Sequence, residues 1–412
     1  MSRSALLVTL ARFISRTGGE AAFFVGIWGK AAYELEAEAG QIALVIGVMG
    51  IAGLVGSGTA GPLIDRFGPR RVLMASEVFF VPATLSAIVA ADLGSLIWAA
   101  AAIALFGAPA YTAIASFPPF LATDEAGLAK INAWVEMAGM AALISGASLG
   151  AVMAATVGID AIFWFDAATS LVAVALVARV VTRRPERHAD AATGWKGAVE
   201  GFSTVYRSPR LRFFVLAGTA VWSAFGFFGA LEPLFYRDIL GAGPAMLGIV
   251  NTIFGIGLLA GSIGAGRLPA HRRSARTVAT LVALNGVGAL IYVGTTRLPV
   301  VFVGALTWGL IIGIMAPLAR TMIHINSPEG QVGRVMGVSQ VHSEIAKLGP
   351  LVLAPPLAAA LGVQQALILS GIFIAMLALL MSPTARRLDR ELPRVRTIEG
   401  PKTSDEPISP NR

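Results

Sequence analysis

Gly61-Pro62-Leu63-Ile64-Asp65-Arg66-Phe67-Gly68-Pro69-Arg70-Arg71-Val72-Leu73 stands between two apolar runs, 40–60 and 72–92. Each run is about as long as the 20 or so residues a helix needs to cross a bilayer. Three arginines crowd the join, and Gly68-Pro69 interrupts any continuous helix there. Glycine permits the chain reversal, and proline starts a helix more readily than it continues one. The stretch reads as a hairpin of two membrane helices, joined on the side of the bilayer that retains Lys and Arg.

Outward from this hairpin the pattern repeats. Apolar runs long enough to span lie near 5–29, 40–60, 72–92, 95–118, 129–157, 160–182, 211–236, 244–266, 277–294, 298–320, 335–360 and 363–382. With the first run entering from the cytoplasm, the external loops carry only Lys30, Arg237 and Arg297. The spans carry only Arg12, Arg16 and Lys347, and the rest of the 32 Lys and Arg collect on the cytoplasmic side. That excess sets orientation, so both termini are expected in the cytoplasm of a bacterial plasma membrane. The first external loop is acidic (Glu34, Glu36, Glu38), and Trp28, Trp98 and Trp164 fall near external ends, as an aromatic belt would place them. Arg12, Arg16 and Glu20 break up the first apolar run, which reads as a retained helix and not a signal peptide.

Composition closes off other classes. The chain has 412 residues, 56% hydrophobic and 14% charged, against about 25% charged in soluble domains. A soluble enzyme, a nucleic-acid binder and a single-anchor protein are excluded. The net charge of +8 sits in short loops and not on a folded basic face, so no nucleic-acid partner is expected. Zero cysteines remove disulfides, thiolate metal sites and a Cys nucleophile. His188, His271, His324 and His342 are scattered without metal-ligand spacing, and no phosphate-binding Gly-x-x-x-x-Gly-Lys-Ser/Thr occurs. No metal, cofactor or enzymatic activity is expected, and the bilayer itself is the main partner.

The longest break, 183–210, divides the spans six and six. It opens with Arg183-Arg184-Pro185-Glu186-Arg187, and its second part, from Trp195 to Phe202, alternates apolar and charged residues at helical spacing. That part is expected to lie along the inner membrane surface. The expected organisation is an N-terminal six-helix bundle (1–182), a cytoplasmic linker (183–210), a C-terminal six-helix bundle (211–382) and a disordered cytoplasmic tail (383–412). The fold class is all-α and polytopic, twelve transmembrane helices in two pseudo-symmetric bundles, of the kind secondary transporters build from internal repeats. Sliding the chain by 204 residues sets Phe23-Phe24 on Phe227-Phe228 and Gly158-Ile159 on Gly362-Val363; sliding by 205 sets Gly61-Pro62-Leu63 on Gly266-Arg267-Leu268.

The quoted hairpin resembles the signature loop of the major facilitator superfamily, at Gly61, Leu63, Asp65, Arg66, Gly68, Arg70 and Leu73, and departs from it at Pro69. The resemblance implies a gating loop that latches the cytoplasmic side in the outward-facing state, with Asp65 meeting a helix N-terminus. The second-half counterpart has Ala270 where the acid would stand. Leu128 to Ala133, Phe165 to Ser170, Gly201 to Arg212 and Gly333 to Gly337 are similar to the multidrug and siderophore exporter branch. Gly146-Ala147-Ser148-Leu149-Gly150-Ala151 resembles a degraded form of the family's antiporter motif, and its physical reading is a small-residue packing face. The resemblance implies proton-coupled efflux of a small amphipathic or hydrophobic compound by a monomer. Import or facilitated diffusion of a metabolite or lipid is the alternative, and a non-transporting sensor or scaffold is the reading from another class.

Ionisable residues inside spans are costly and so are functional candidates. Arg12, Arg16 and Glu20 recur every four residues on one face of the first helix, where Glu20 can pair with Arg16. The resemblance places that helix on the substrate cavity, so Arg16 and Glu20 are the leading coupling candidates, followed by Glu136 and Glu344. Glu344 and Lys347 are spaced to satisfy each other. Asp166 and Glu232 are expected near external ends and in water, and Glu77 one turn from the cytoplasm, all three structural. Trp222 and Trp308 are candidates for an aromatic cavity.

Overall fold

The structure, a computed structural model, describes residues 2–122, 124–182, 195–328 and 331–390. Among them there are helices and no strands. Helix α1 (Arg3–Ala21) continues through π-helical turns at Ala22–Ile27 and Lys30–Glu34. It is followed by α2 (Ala39–Phe67), α3 (Pro69–Ser86), α4 (Leu93–Ala115), the single turn α5 (Pro118–Leu121), α6 (Glu125–Thr156) and α7 (Asp160–Val177). The linker helix α8 (Trp195–Arg207) leads into α9 (Pro209–Leu234), which ends in a π turn at Phe235–Ile239. Then come α10 (Ala245–Gly266), α11 (Ala275–Val293), α12 (Leu298–Asn326), α13 (Val332–Leu361) and α14 (Val363–Arg390).

Ten of these helices are long and apolar enough to cross a membrane by themselves. The other two crossings are α1 and α3, whose polar residues (Arg12, Arg16 and Glu20; Arg70, Arg71 and Glu77) dilute runs that pack inside the same bundle. Local signals fix the ends. Ser2, Asp92, Ser208 and Ser274 cap helix starts with their side chains. The Ser95 backbone N–H and hydroxyl hold the exposed Asp92 carboxyl below its usual range. Gly68 (φ +80°) closes α2 in a backbone conformation that suits glycine. Two boundaries differ from expectation. Helix α3 ends at Ser86, ahead of the Asp92 cap. Helix α14 runs past the expected tail boundary to Arg390, because Ala385 and Leu388 are buried and Asp389 accepts the N–H groups of Ala275 and Arg276 at 2.8 and 3.0 Å, capping α11. Residues 391–412 and 183–194 lie outside the described residues.

The helix pairings repeat. α1 packs on α6 and α7, α4 on α2 and α3, and α3 on α7; in the second half α9 packs on α13 and α14, α12 on α10 and α11, and α11 on α14. The π turns at 30–34 and 235–239 are 205 residues apart, and Gly158 and Gly362, 204 apart, both take positive φ (+94° and +90°) between helices. The offset legible in the sequence is thus an offset in backbone geometry.

The halves meet along two seams, α6 against α10 and α2 against α13. On α2, a Cβ added to Gly40, Gly47 or Gly50 would touch Pro355, Leu351 or Leu348 of α13 at 3.9, 3.6 and 3.6 Å. Nearer the termini, Gly58 and Gly61 of α2 and Gly333 and Gly337 of α13 have nothing within 4 Å. The halves therefore touch toward the face opposite the termini and separate toward the terminus face. Arg237 fastens the closed side, donating to the carbonyls of Ala32 and Ala37 at 2.5 and 3.2 Å.

Candidate functional site: an aromatic cavity between the halves

A cavity of about 270 Å³ opens where the seams diverge, close to the lower end of small-molecule pockets, about 300 Å³. Trp222, Phe225, Phe228 and Glu232 recur every three or four residues on α9 and share a face. Phe254 of α10, Tyr292 of α11 and Trp308 of α12 complete that wall; Phe23, Phe24 and Trp28 of α1 stand opposite, with Leu348 and Leu351 of α13. Trp308 is the hub. Its ring lies 4.5 Å from Phe228, 5.4 Å from Phe254, 5.6 Å from Phe225 and 5.7 Å from Tyr292, and its indole N–H donates to Asn285 Oδ1 at 2.6 Å. Each such ring pair adds about 0.5–1.5 kcal/mol to simple burial, so the wall is preformed.

Among the described residues, the acidic and basic side chains that line the cavity are Glu232, Glu344 and Lys347. Glu344 accepts from Lys347 at 2.9 Å and from Gln340 at 2.8 Å, and the Lys347 ammonium sits 4.7 Å over the Trp222 ring. That pair is self-satisfied. Glu232 is different: its Oε1 accepts the hydroxyls of Tyr236, at 2.6 Å, and of Tyr292, while no cation pairs with it among the described residues. Its second oxygen is left to the cavity. Glu232 is only 7% exposed and Asp166 fully buried, so the expectation that both are wet is corrected. Glu77 is likewise buried, two turns into α3 and not one. The helix start moves Glu77 deeper, and the face each helix turns inward, which decides burial, is not readable from sequence. Trp28, expected in an interfacial belt, is also in the cavity, whereas Trp98 and Trp164 are exposed on the outside of the bundle.

The other sequence candidates lie elsewhere. Glu20 is buried and ion-paired to Arg16, away from the aromatic wall, in the core between α1 and α6. Arg12 and Arg16 reach over the Tyr111 ring, at 4.3 and 5.1 Å, and border a separate vestibule of about 130 Å³ with Ser15 and Glu77. Glu136 is exposed on α6 and makes no ion pair among the described residues. In the hairpin loop, Asp65 and Arg66 are exposed; Arg66 lies 5.1 Å over Phe67, and Arg70 donates to the Ala178 carbonyl. Gly61 has open space around it. The Gly146–Ala151 stretch is a packing face on two sides. Gly146 and Gly150 admit α1 (a Cβ would meet Glu20 and Val25 at 2.8 Å), and Ala151 faces Gly248 of α10 across the seam.

The sequence model described as Major Facilitator Superfamily matches residues 8–350. The chain is 28% identical over 356 residues to the multidrug efflux pump Tap of Mycolicibacterium fortuitum, covering 82% of this chain and 85% of that protein. It is 27% identical over 407 residues to the protein of the same name in Mycobacterium tuberculosis, covering 93% and 94%. Among solved structures, the nucleoside transporter NupG superposes with a TM-score of 0.73 at 11% identity, covering 93% of this chain and 99% of that one. A bacterial homologue of the human lysosomal transporter Spinster, in an inward-facing and unoccupied conformation, superposes with a TM-score of 0.70 at 14% identity, covering 94% and 97%.

Proposed function

Since the chain belongs to the major facilitator superfamily, we propose that it exports small amphipathic aromatic compounds bearing a positive charge, in exchange for protons, from the bacterial cytoplasm. The carrying observation is the cavity: a preformed aromatic wall with a carboxylate, Glu232, that two tyrosine hydroxyls hold and that has no cation partner among the described residues, unlike Glu344. Aromatic faces attract cations by about 0.5–2 kcal/mol, and a carboxylate in a low-dielectric site adds a charge preference that neutral compounds do not enjoy. The relatives named multidrug efflux pumps support the reading as an exporter. With the termini inside, as the Lys and Arg distribution argues, the cavity opens to the cytoplasm and is closed outside by Arg237, which is the loading state of an exporter. Rocking of one bundle on the other about the two seams then moves the opening across the membrane.

The test is flux in proteoliposomes with an imposed pH gradient. The parent is expected to move a cationic dye uphill, and Glu232→Gln to lose about tenfold or more of that flux while retaining a neutral analogue of similar shape. Flux indifferent to the gradient would indicate a facilitator; no flux for any compound would favour a scaffold. Equal loss of cation and neutral analogue would remove Glu232 from substrate recognition.

A further inference from the structure

The N-terminal bundle buries two carboxylates that the cavity does not use. Glu77 of α3 is 4% exposed and accepts the Ser15 hydroxyl at 2.7 Å. Asp166 of α7 is fully buried; its Oδ2 accepts the Thr84 hydroxyl at 2.8 Å, and its Oδ1 has no hydrogen-bond partner. Ser170, one turn along α7 from Asp166, lies beside Glu77 with its hydroxyl buried and unpartnered by direct geometry. Helices α3 and α7 run antiparallel, so Thr84 faces Asp166 while Glu77, two turns away, faces Ser170. The result is a polar ladder: Ser15, Glu77, Ser170, Asp166, Thr84.

One end of the ladder is open and the other sealed. Ser15 and Glu77 border the vestibule with Arg12 and Arg16. At the other end α1 presses against Asp166, where a Cβ on Gly18 would lie 2.8 Å from Oδ1. The charged and titratable groups facing the ladder are Arg12, Arg16 and Glu20 from α1 and Tyr111 from α4, with Glu136 of α6 close enough to act on Arg12. Neither Glu77 nor Asp166 has a cation within ion-pair distance among the described residues. Two buried carboxylates on one polar ladder without a cation are too costly to stay ionised together in a membrane interior.

The fold itself does not require them. At the repeat offset of 205, Ser15, Glu77 and Thr84 correspond to Ala220, Val282 and Ala289, and at 204 Asp166 corresponds to Ser370. The matching helix pair, α11 and α14, carries no acid at these positions: Gly286 lies against Gly371 and Ala375.

We propose that Glu77 and Asp166 form a proton-binding pair, filled from vestibule water and separate from the aromatic cavity. The pair deepens, and rests on, the reading of the protein as a proton-coupled exporter. Loss of the proton to the vestibule leaves a net negative charge beside Arg16, in competition with Glu20 for that guanidinium. Helix α1 carries both this face and, two turns on, the cavity residues Phe23, Phe24 and Trp28, so the exchange of partners is felt at the substrate wall.

Infrared difference spectroscopy of the full chain in liposomes, between acid and alkaline buffer, reads the proton directly. The parent is expected to show the carbonyl stretch of a buried protonated carboxyl, absent in Asp166→Asn and displaced in Thr84→Val. Glu77→Gln, should Asp166→Asn fail to fold, is expected to alter the same band. In transport, Asp166→Asn is expected to lose about tenfold or more of gradient-driven export, with substrate quenching of tryptophan fluorescence unchanged. A spectrum identical in parent, Asp166→Asn and Glu77→Gln would overturn the proposal. Absence of quenching by any compound in the parent would count against the cavity reading alone, since the infrared band does not depend on substrate.

Discussion

The two halves share their helix pairings and differ in what they bury. The N-terminal half hides Arg12, Glu20, Lys30, Glu77, Thr84 and Asp166; the C-terminal half hides Phe213, Phe214, Phe228, Phe235, Tyr236, Tyr292 and Trp308, with Glu232 its one buried acid among the described residues. At the repeat offset of 205, Glu20 corresponds to Phe225 of the cavity wall, and Lys30, ion-paired to Asp160 at 2.7 Å, corresponds to the fully buried Phe235. A duplicated architecture has thus been filled with two chemistries, one able to handle charge and the other able to hold an aromatic molecule. The proposed coupling between them would pass through α1 and the seams, the elements that both halves touch.

The seam between α6 and α10 is the place to break this division. A Cβ on Gly248 would lie 2.7 Å from both the Cβ and the backbone nitrogen of Ala151, so Gly248→Leu cannot fit without parting the helices. The expected outcome is loss of closure on the face opposite the termini and of transport. A cysteine introduced near Ala37, in a chain with none of its own, should go from protected to freely labelled. Protection equal to that of the unsubstituted seam would show that the halves are held together elsewhere.

Much of this arrangement is legible in the sequence, and the limits are physical. The twelve spans are readable because a bilayer demands long apolar runs, and the hairpin at 61–73 because glycine, proline and arginine each have one role there. The Arg16–Glu20 and Glu344–Lys347 pairs follow from helical spacing alone. The aromatic cavity does not, because Trp222, Phe225 and Phe228 become one surface with Tyr292 and Trp308 only when α9, α11 and α12 assemble. The sequence places Asp166 and Glu232 on their helices, yet it carries no statement of which neighbours close over them. The extension of α14 to Arg390 is invisible for the same reason, since it depends on Asp389 reaching the start of α11.

A smaller effect sharpens the comparison at the Arg237 clamp, on the face opposite the termini. Arg237 belongs to the second half's π turn and donates to Ala32 within the first half's, while Asp238 holds its guanidinium at 2.6 Å. Hydrogen bonds to charged groups contribute about 1.5–3 kcal/mol each when well buried; Arg237 is partly exposed, so about 1–2 kcal/mol for the clamp is the reasonable scale. Arg237→Ala is expected to raise the labelling rate of the same introduced cysteine about five- to thirtyfold. An unchanged rate would assign closure to the α6–α10 seam alone.

The smallest effect is expected at Asp65, and its sign separates a latch from an ordinary basic loop. In this conformation Asp65 is exposed and makes no ion pair among the described residues, so its removal takes nothing from the state seen here. If the loop latches the terminus face in the opposite state, Asp65 there meets a helix N-terminus, an interaction of about 0.3–1 kcal/mol. Asp65→Asn would weaken only that state and shift the population toward the present one by about two- to fivefold. A cysteine at Gly337, which has open space around it on the terminus side of α13, should then label faster by that factor, with thermal stability unaltered. Labelling that is unchanged, or slower, would mean that the acid does not hold the alternate state and that the loop's arginines act only through orientation in the membrane.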